Sequence, residues 1–317
     1  NRGFKMHILV TGACGYVGTA LTQKLLDLGH KVTGVDIMWF GNYLKPHPNL
    51  TLIKEDIRCS DNLPMKDVDS IIHLANVAND PCGELNSKLA WEVNVLATMG
   101  LLENAIKNGV KQFIYASSGS VYGVKEEPQV TEDLSLVPIS DYNKTKMVSE
   151  RVLLSYQDKI AIQIIRPATV CGYSPRMRLD LSVNMLTMQA LAKGKITVFG
   201  GDQVRPNINL KDMIGVYLHF LKLGKKATGI FNAGFENISI LDIAHRVKAL
   251  VPVEIVVTES NDPRSYRLNS DKLLKTGFRQ EHTVADAIHE VIDAFRSGIL
   301  KDEENCYNIK TMKKLNF

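Results

Sequence analysis

Apolar positions change period repeatedly along the first half of the chain. Met6–Val10 is a short run rich in β-branched residues. Tyr16–Leu28 then places Val17, Ala20, Leu21, Leu25 and Leu28 near helical spacing. Gly29-His30 ends that helix, and Lys31–Asp36 reads as the next strand. Leu50–Lys54, Ser70–Leu74 and Gln112–Ala116 read as three more strands. A long helical stretch from about Ser87 to Lys107 separates the last two, Tyr142–Tyr156 reads as a helix, and Ala161–Arg166 as a sixth strand. Strands that alternate with helices need crossover connections. This predicts an α/β fold with a doubly wound parallel sheet.

After Pro167 the pattern loosens. Helices are expected at Leu181–Lys193, Leu210–Leu221 and Ile240–Leu250, with a strand at Ile196–Phe199. This predicts a larger nucleotide-binding domain over residues 6–167 and a smaller, irregular substrate lobe over 168–317. The lobes should pack tightly, with some chain exchanged between them. The tail, Lys301–Phe317, is weakly patterned and is expected to be partly mobile.

Composition narrows the function classes. The 317 residues suit about two domains at roughly 150 residues each. Hydrophobic residues are 45% and charged residues 23%, an ordinary globular balance that excludes disorder and coiled coil. The net charge of +4 is too mild to imply nucleic acid or an anionic membrane, but it suits a small anionic ligand. No run of about 18 apolar residues or signal peptide stands out, so a cytoplasmic protein is expected. The five cysteines are odd in number and lack CxxC spacing, which argues against a disulfide framework or a metal site. Met6 directly precedes the first strand, so residues 1–5 read as a cloning remnant, or else the N-terminus is incomplete.

The candidate chemistry begins at Thr11-Gly12-Ala13-Cys14-Gly15-Tyr16-Val17-Gly18, between the first strand and the first helix. In that context Gly12 permits a tight turn, Gly15 a close approach to a pyrophosphate, and Gly18 close helix–sheet packing. The helix N-terminus offers free N–H groups to phosphates. A glycine turn without ligand is the plainer alternative. Asp36 ends the second strand, where a carboxylate accepts both hydroxyls of an adenosine ribose and repels a 2′-phosphate. This favours NAD over NADP. Asp56-Ile57 follows the third strand, where the pair could hold adenine. Cys14 is either a thiol activated by the helix N-terminus or, more simply, a small filler.

Tyr142 and Lys146 lie four residues apart and share a face if the segment is helical. A nearby ammonium favours tyrosinate and should lower the tyrosine pKa. Such a tyrosine can move the proton of a substrate hydroxyl while a hydride moves to or from nicotinamide. The pair alone is common on surfaces. Its weight comes from Ser117-Ser118-Gly119-Ser120-Val121-Tyr122-Gly123, which closes a predicted strand of the same sheet, where such sheets bind ligands.

These residues together resemble the extended short-chain dehydrogenase/reductase family, in its group of nucleotide-sugar epimerases, dehydratases and oxidoreductases. The resemblance spans nearly the whole chain. It includes the glycine loop, Asp36, Asp56-Ile57, Leu74-Ala75, Asn94, Ser118, Tyr142, Lys146, Pro167 and the segment Arg205–Asp212. It implies a Rossmann-type domain that holds NAD through Gly12, Gly15, Tyr16, Val17, Gly18, Asp36, Asp56, Ile57, Leu74, Ala75, Asn94, Tyr142, Lys146 and Pro167. It also implies Tyr142 as acid/base, Lys146 as its partner and Ser118 as the hydroxyl that holds the substrate oxygen. Asn184, Arg205 and Arg264 match positions that hold a nucleotide diphosphate, and Ser120 and Thr169 face the sugar. A homodimer built on about Ser87–Lys107 and Tyr142–Tyr156 is implied as well.

The departures matter. Gly119 and Ser120 stand where 4,6-dehydratases of the family carry an Asp-Glu pair, so that elimination is disfavoured. Asp141 replaces the usual Pro before the tyrosine, Pro206 replaces an Asp, and Thr169 replaces an Asn. Tyr173–Asn184 is similar to a subgroup that includes GDP-heptose 4-dehydrogenases, and its Arg176 and Arg178 either bind substrate or pair with a local acid such as Asp180. The implied function is an NAD-dependent nucleotide-sugar 4-epimerase. A net C4 dehydrogenase or 4-ketoreductase is the alternative, and a non-catalytic NAD-binding protein is the rival from another class.

Overall fold

The computed structural model describes residues 5–260 and 265–316. Twelve strands form among the described residues. They are β1 (His7–Thr11), β2 (Lys31–Asp36), β3 (Leu50–Lys54), β4 (Ser70–His73), β5 (Gln112–Ala116), β6 (Ala161–Pro167), β7 (Thr169–Cys171), β8 (Lys195–Phe199), β9 (Val204–Asn209), β10 (Gly229–Ala233), β11 (Glu236–Ser239) and β12 (Glu254–Thr258). Seven make a parallel sheet in the order β10-β6-β5-β4-β1-β2-β3. β1, β4 and β5 are nearly continuous buried runs, as expected of strands covered on both faces. The chain builds outward from β1 to β3, then crosses to β4 and builds the other way. The strand order therefore reverses between β1 and β4, and the crevice at their carboxyl ends is where such a sheet admits a ligand.

The strands and long helices expected from the periodicity sit within a few residues of their predicted bounds. The two halves do not separate at residue 167. β10 comes from the second half yet pairs in parallel with β6 at the edge of the main sheet. The rest of the second lobe is a mixed sheet, β11-β9-β7, and a parallel pair, β12-β8.

Two local features were invisible in the pattern. The expected helix over 87–107 contains a π-helical turn at Glu92–Leu96, which keeps the apolar face running while widening the backbone. The tail is anchored rather than mobile. It forms a helix at Asn308–Lys314, with Met312 buried in the main core and Asn308 bonded into the cleft. One buried methionine among lysines gave too weak a period to read.

Candidate active site

The crevice is a cavity of about 630 Å³, lined by both lobes. Its floor is the glycine loop. Gly12 adopts φ +68°, and a Cβ there would lie 2.8 Å from the Ala75 backbone nitrogen. A Cβ on Gly18 would strike the Gly12 carbonyl. The loop thus needs glycine at both places. Gly15 caps the helix Tyr16–Asp27 with no side-chain cap, and the first turn carries no acid. Its leading N–H groups and partial positive charge therefore face the cavity uncompensated.

Asp36 stands at the end of β2, fixed by N–H donors from Cys14 (2.9 Å) and Met38 (2.7 Å). Burial raises its pKa, while those two bonds oppose the rise. Val17, Asp56, Ile57, Leu74, Ala75 and Pro167 complete the lining expected for a dinucleotide. A tight turn that admits only glycine, a helix N-terminus without a side-chain cap and a fixed carboxylate fit NAD. Cys14 is the filler: burial and Asp36 push its thiol up to about 12.

Two expected ligand residues are struts instead. Asn94 is buried in the π turn. Its side-chain carbonyl accepts from the Val77 N–H (2.8 Å), and its amide donates to the Val77 carbonyl and to Thr145. Asn184 is fully buried. It accepts from the Gly172 N–H (2.9 Å) and donates to Tyr16 Oη and the Arg178 carbonyl. Neither lines the cavity. Their side-chain N–H groups are committed to fixing the loops that carry cavity-lining neighbours. Tyr16 likewise donates to the Gly172 carbonyl (2.7 Å), tying the first helix to the second lobe.

The helix Asp141–Leu154, which carries Tyr142 and Lys146, is capped by Ser140, which accepts from the Asn143 N–H. The same hydroxyl donates to Asp80 (2.5 Å) on the loop after β4. Tyr142, Lys146, Ser118 and Ser120 all face the cavity. A hydroxyl chain runs from Ser118 to Ser120 (2.6 Å) and on to Asn143.

The electrostatics differ from the expectation for Tyr142. Its pKa is raised to about 12, first by burial and then by the Asp80 carboxylate. Arg178 and a hydrogen bond from Ser118 pull it back. Lys146 is less firmly charged than expected. Burial drops its pKa to about 7, its Nζ donates to the Ala116 carbonyl (2.8 Å), and it sits 5.8 Å from the Tyr142 ring centre. Arg178, from the other lobe, is a second cation that favours tyrosinate. Asp80 and Asn143 were missed in the sequence, because nothing in a lone Asp-Pro or an Asn inside a helix marks either as facing a tyrosine.

The second lobe supplies the opposite wall. Arg178 pairs with Asp180 (2.9 Å), and Asp180 also accepts from the Asn79 side chain (3.2 Å) and the Asn308 N–H (3.2 Å). Thr169 and Arg205 line the same cavity. Arg176, expected beside the sugar nucleotide, lies elsewhere in the wall. It stacks on Phe40 at 4.1 Å and bonds Asn308, and its charge acts on Asp36. Arg264 lies outside the described residues.

Comparison with known proteins agrees with this geometry. Residues 8–234 match the profile of the NAD dependent epimerase/dehydratase family. A protein of Bacillus subtilis named as an uncharacterized UDP-glucose epimerase, YtcB, is 33% identical over 66% of this chain and 70% of its own. A UDP-glucose 4-epimerase of Lactobacillus helveticus is 26% identical over 89% of this chain and 94% of its own. Among solved structures, UDP-glucuronic acid 4-epimerase from Bacillus cereus, in complex with UDP-glucuronic acid and NAD, superposes with a TM-score of 0.80 at 27% identity. It covers 92% of this chain and 99% of that one.

Proposed function

The chain belongs to the NAD dependent epimerase/dehydratase family, and from that premise we propose that it is an NAD-dependent nucleotide-sugar epimerase acting at C4 of a nucleoside-diphosphate sugar. The observation that carries this reading is one cavity that joins the glycine cradle and Asp36 to Ser118, Tyr142 and Lys146, under arginines from the second lobe. Gly12, Gly15, Val17, Gly18, Asp36, Asp56, Ile57, Leu74, Ala75 and Pro167 would hold NAD, which when bound would supply the acceptor and donor of the C4 hydride.

The chain's own residues move the proton. Tyr142 accepts it from the C4 hydroxyl and gives it back, and Ser118 holds the same oxygen in line. Arg178 stabilises the tyrosinate that forms, offsetting burial and Asp80. Lys146, held by the Ala116 carbonyl with its Nζ over the Tyr142 ring, adds positive charge beside the tyrosine. Ser120 and Thr169 face the sugar, and Arg205 offers its charge to the diphosphate. Gly119 and Ser120 supply no acid or base for a 4,6-elimination, which favours epimerisation over dehydration.

The second reading is net oxidation at C4, with release of the 4-keto sugar, or the reverse reduction. The likeness of Tyr173–Asn184 to GDP-heptose 4-dehydrogenases favours it. One experiment separates the two. Native mass spectrometry of the purified protein reports retained NAD, and a screen of UDP-, GDP-, CDP- and dTDP-sugars follows. An epimerase gives a C4 epimer without free NADH, whereas accumulation of NADH with one substrate establishes the dehydrogenase.

A homodimer and a cytoplasmic setting belong to the same reading. Leu96 is 64% exposed and Met99 36% exposed, at the start of the helix Ala97–Lys107 that packs beside the catalytic helix. A second copy would cover them. Sedimentation at micromolar concentration that shows only monomer overturns the dimer.

A further inference from the structure

Arg176 is the one strongly buried arginine among the described residues that makes no direct ion pair; the Asp180 and Asp36 carboxylates act on it only at longer range. Arg166 and Arg178 are ion-paired with Glu150 and Asp180. Arg176 has only neutral acceptors. Nη2 donates to Asn308 Oδ1 (2.7 Å), Nη1 reaches the Met177 carbonyl at 3.3 Å, and Nε has no partner. Phe40 covers one face of the guanidinium. Burial and the neighbouring Arg178 hold its pKa down to about 10. A buried guanidinium left this way is strongly unfavourable unless an anion completes it.

The place names the anion. Arg176 lines the cavity together with the glycine loop, Asp36 and Phe40. Phe40 lies four residues beyond Asp36, on the segment that leaves β2 over the cofactor cradle. Asp36, fixed by the glycine-loop Cys14 N–H, suits neutral ribose hydroxyls. The anionic part of a dinucleotide on this cradle is its diphosphate. The guanidinium is held in position by Asn308 of the tail helix, whose own N–H is bonded to Asp180. Second-lobe loop, tail helix and first-lobe cradle thus meet at one cation.

We propose that Arg176 is a clasp on the NAD diphosphate, set by the tail through Asn308, so that the cofactor is retained between turnovers. The inference rests on the NAD assignment above. Retention suits an epimerase, in which the same cofactor must return the hydride it took.

The test is calorimetric titration of cofactor-stripped, full-length protein with NAD, with ADP-ribose, and with whichever of UDP, GDP or dTDP the wild type binds. Arg176→Met should weaken NAD and ADP-ribose by on the order of ten- to a hundredfold and leave the nucleoside diphosphate unchanged. Arg176→Lys should recover part of the loss. Asn308→Ala should weaken NAD severalfold and speed its dissociation. If Arg176→Met does not fold, Arg176→Lys and Asn308→Ala decide. Unchanged NAD affinity in both overturns the clasp, as does a loss in any folded Arg176 variant confined to the nucleoside diphosphate. Failure of the wild type to bind NAD at all would instead overturn the cofactor assignment.

Discussion

Two equally buried arginines bound the cleft, and their surroundings differ. Arg166, on β6 behind the catalytic serines, is 2% exposed, as is Arg176 in the second-lobe wall. Arg166 donates twice to Glu150, at 3.0 and 2.6 Å, and once to Tyr122 Oη at 2.7 Å. Glu150 also accepts from Ser117, and Tyr122 donates to Asn232. Folding alone completes that network, so it is scaffold: it seats the strand end that carries Ser118. Arg176 has Asn308, a long bond to a carbonyl and an aromatic face. Folding leaves it incomplete. Burial by itself does not separate a structural charge from a ligand-binding one. The separation lies in whether the protein supplies the counter-charge.

This contrast predicts that changes behind the serines are felt as stability, changes in the wall as binding, and changes between them as rate. The largest effect should be that of Tyr142→Phe, which leaves both arginines intact. Turnover should fall roughly 10²- to 10⁴-fold, with NAD affinity and melting temperature unchanged. Undiminished turnover would remove the proposed chemistry.

Next in size is Arg166→Met, which strands Glu150. It should lower unfolding free energy by about 3–5 kcal/mol in urea titrations, with or without NAD. Arg176→Met removes a cation that has no direct ion pair, so in cofactor-free protein it should lose less than about 1 kcal/mol or gain stability. Equal losses in the two variants would erase the comparison.

The third test uses pH. Asp80 disfavours tyrosinate, so Asp80→Asn lowers the Tyr142 pKa and moves the rising limb of kcat/KM to lower pH. Arg178 favours tyrosinate, so Arg178→Met moves it to higher pH. Each should change the rate at fixed pH on that limb by about tenfold. Shifts of the same sign would show that Tyr142 does not control the limb. The smallest effect is expected at the ribose. Asp36→Ala should weaken NAD severalfold and relieve exclusion of NADP, measured as the ratio of the two dissociation constants. A wild type that prefers NADP would sink that assignment.

Much of the fold was legible because parallel strands buried on both faces read as apolar runs, and the helices between them keep a clear 3.6-residue period. β10 was not legible. Gly-Ile-Phe-Asn-Ala has no strong pattern, and its pairing with β6 depends on where the second lobe returns the chain. The tail helix was missed because its anchor is a few contacts rather than a stripe. Within the site, glycine spacing and the Tyr142/Lys146 interval were visible, since both are local. The placements of Asn94 and Asn184 were not. An asparagine in sequence shows donors and acceptors, and only the packed neighbours show whether those are already used.

The sequence by itself determined the sheet order's logic, the glycine turn after β1 and the spacing that sets Tyr142 and Lys146 on one helix face. Each depends on residues within a few positions of one another, where backbone geometry and period act directly. Tertiary structure decided the electrostatics. Asp80, Arg178 and Tyr142 come from three distant segments, and only their approach in a low-dielectric cleft sets a carboxylate against the tyrosinate and a guanidinium in its favour. The same holds for Arg176. Nothing in Ser174-Pro175-Arg176-Met177-Arg178 distinguishes its two arginines; folding gives Arg178 a direct ion pair with Asp180 and leaves Arg176 Nε without a hydrogen-bond partner.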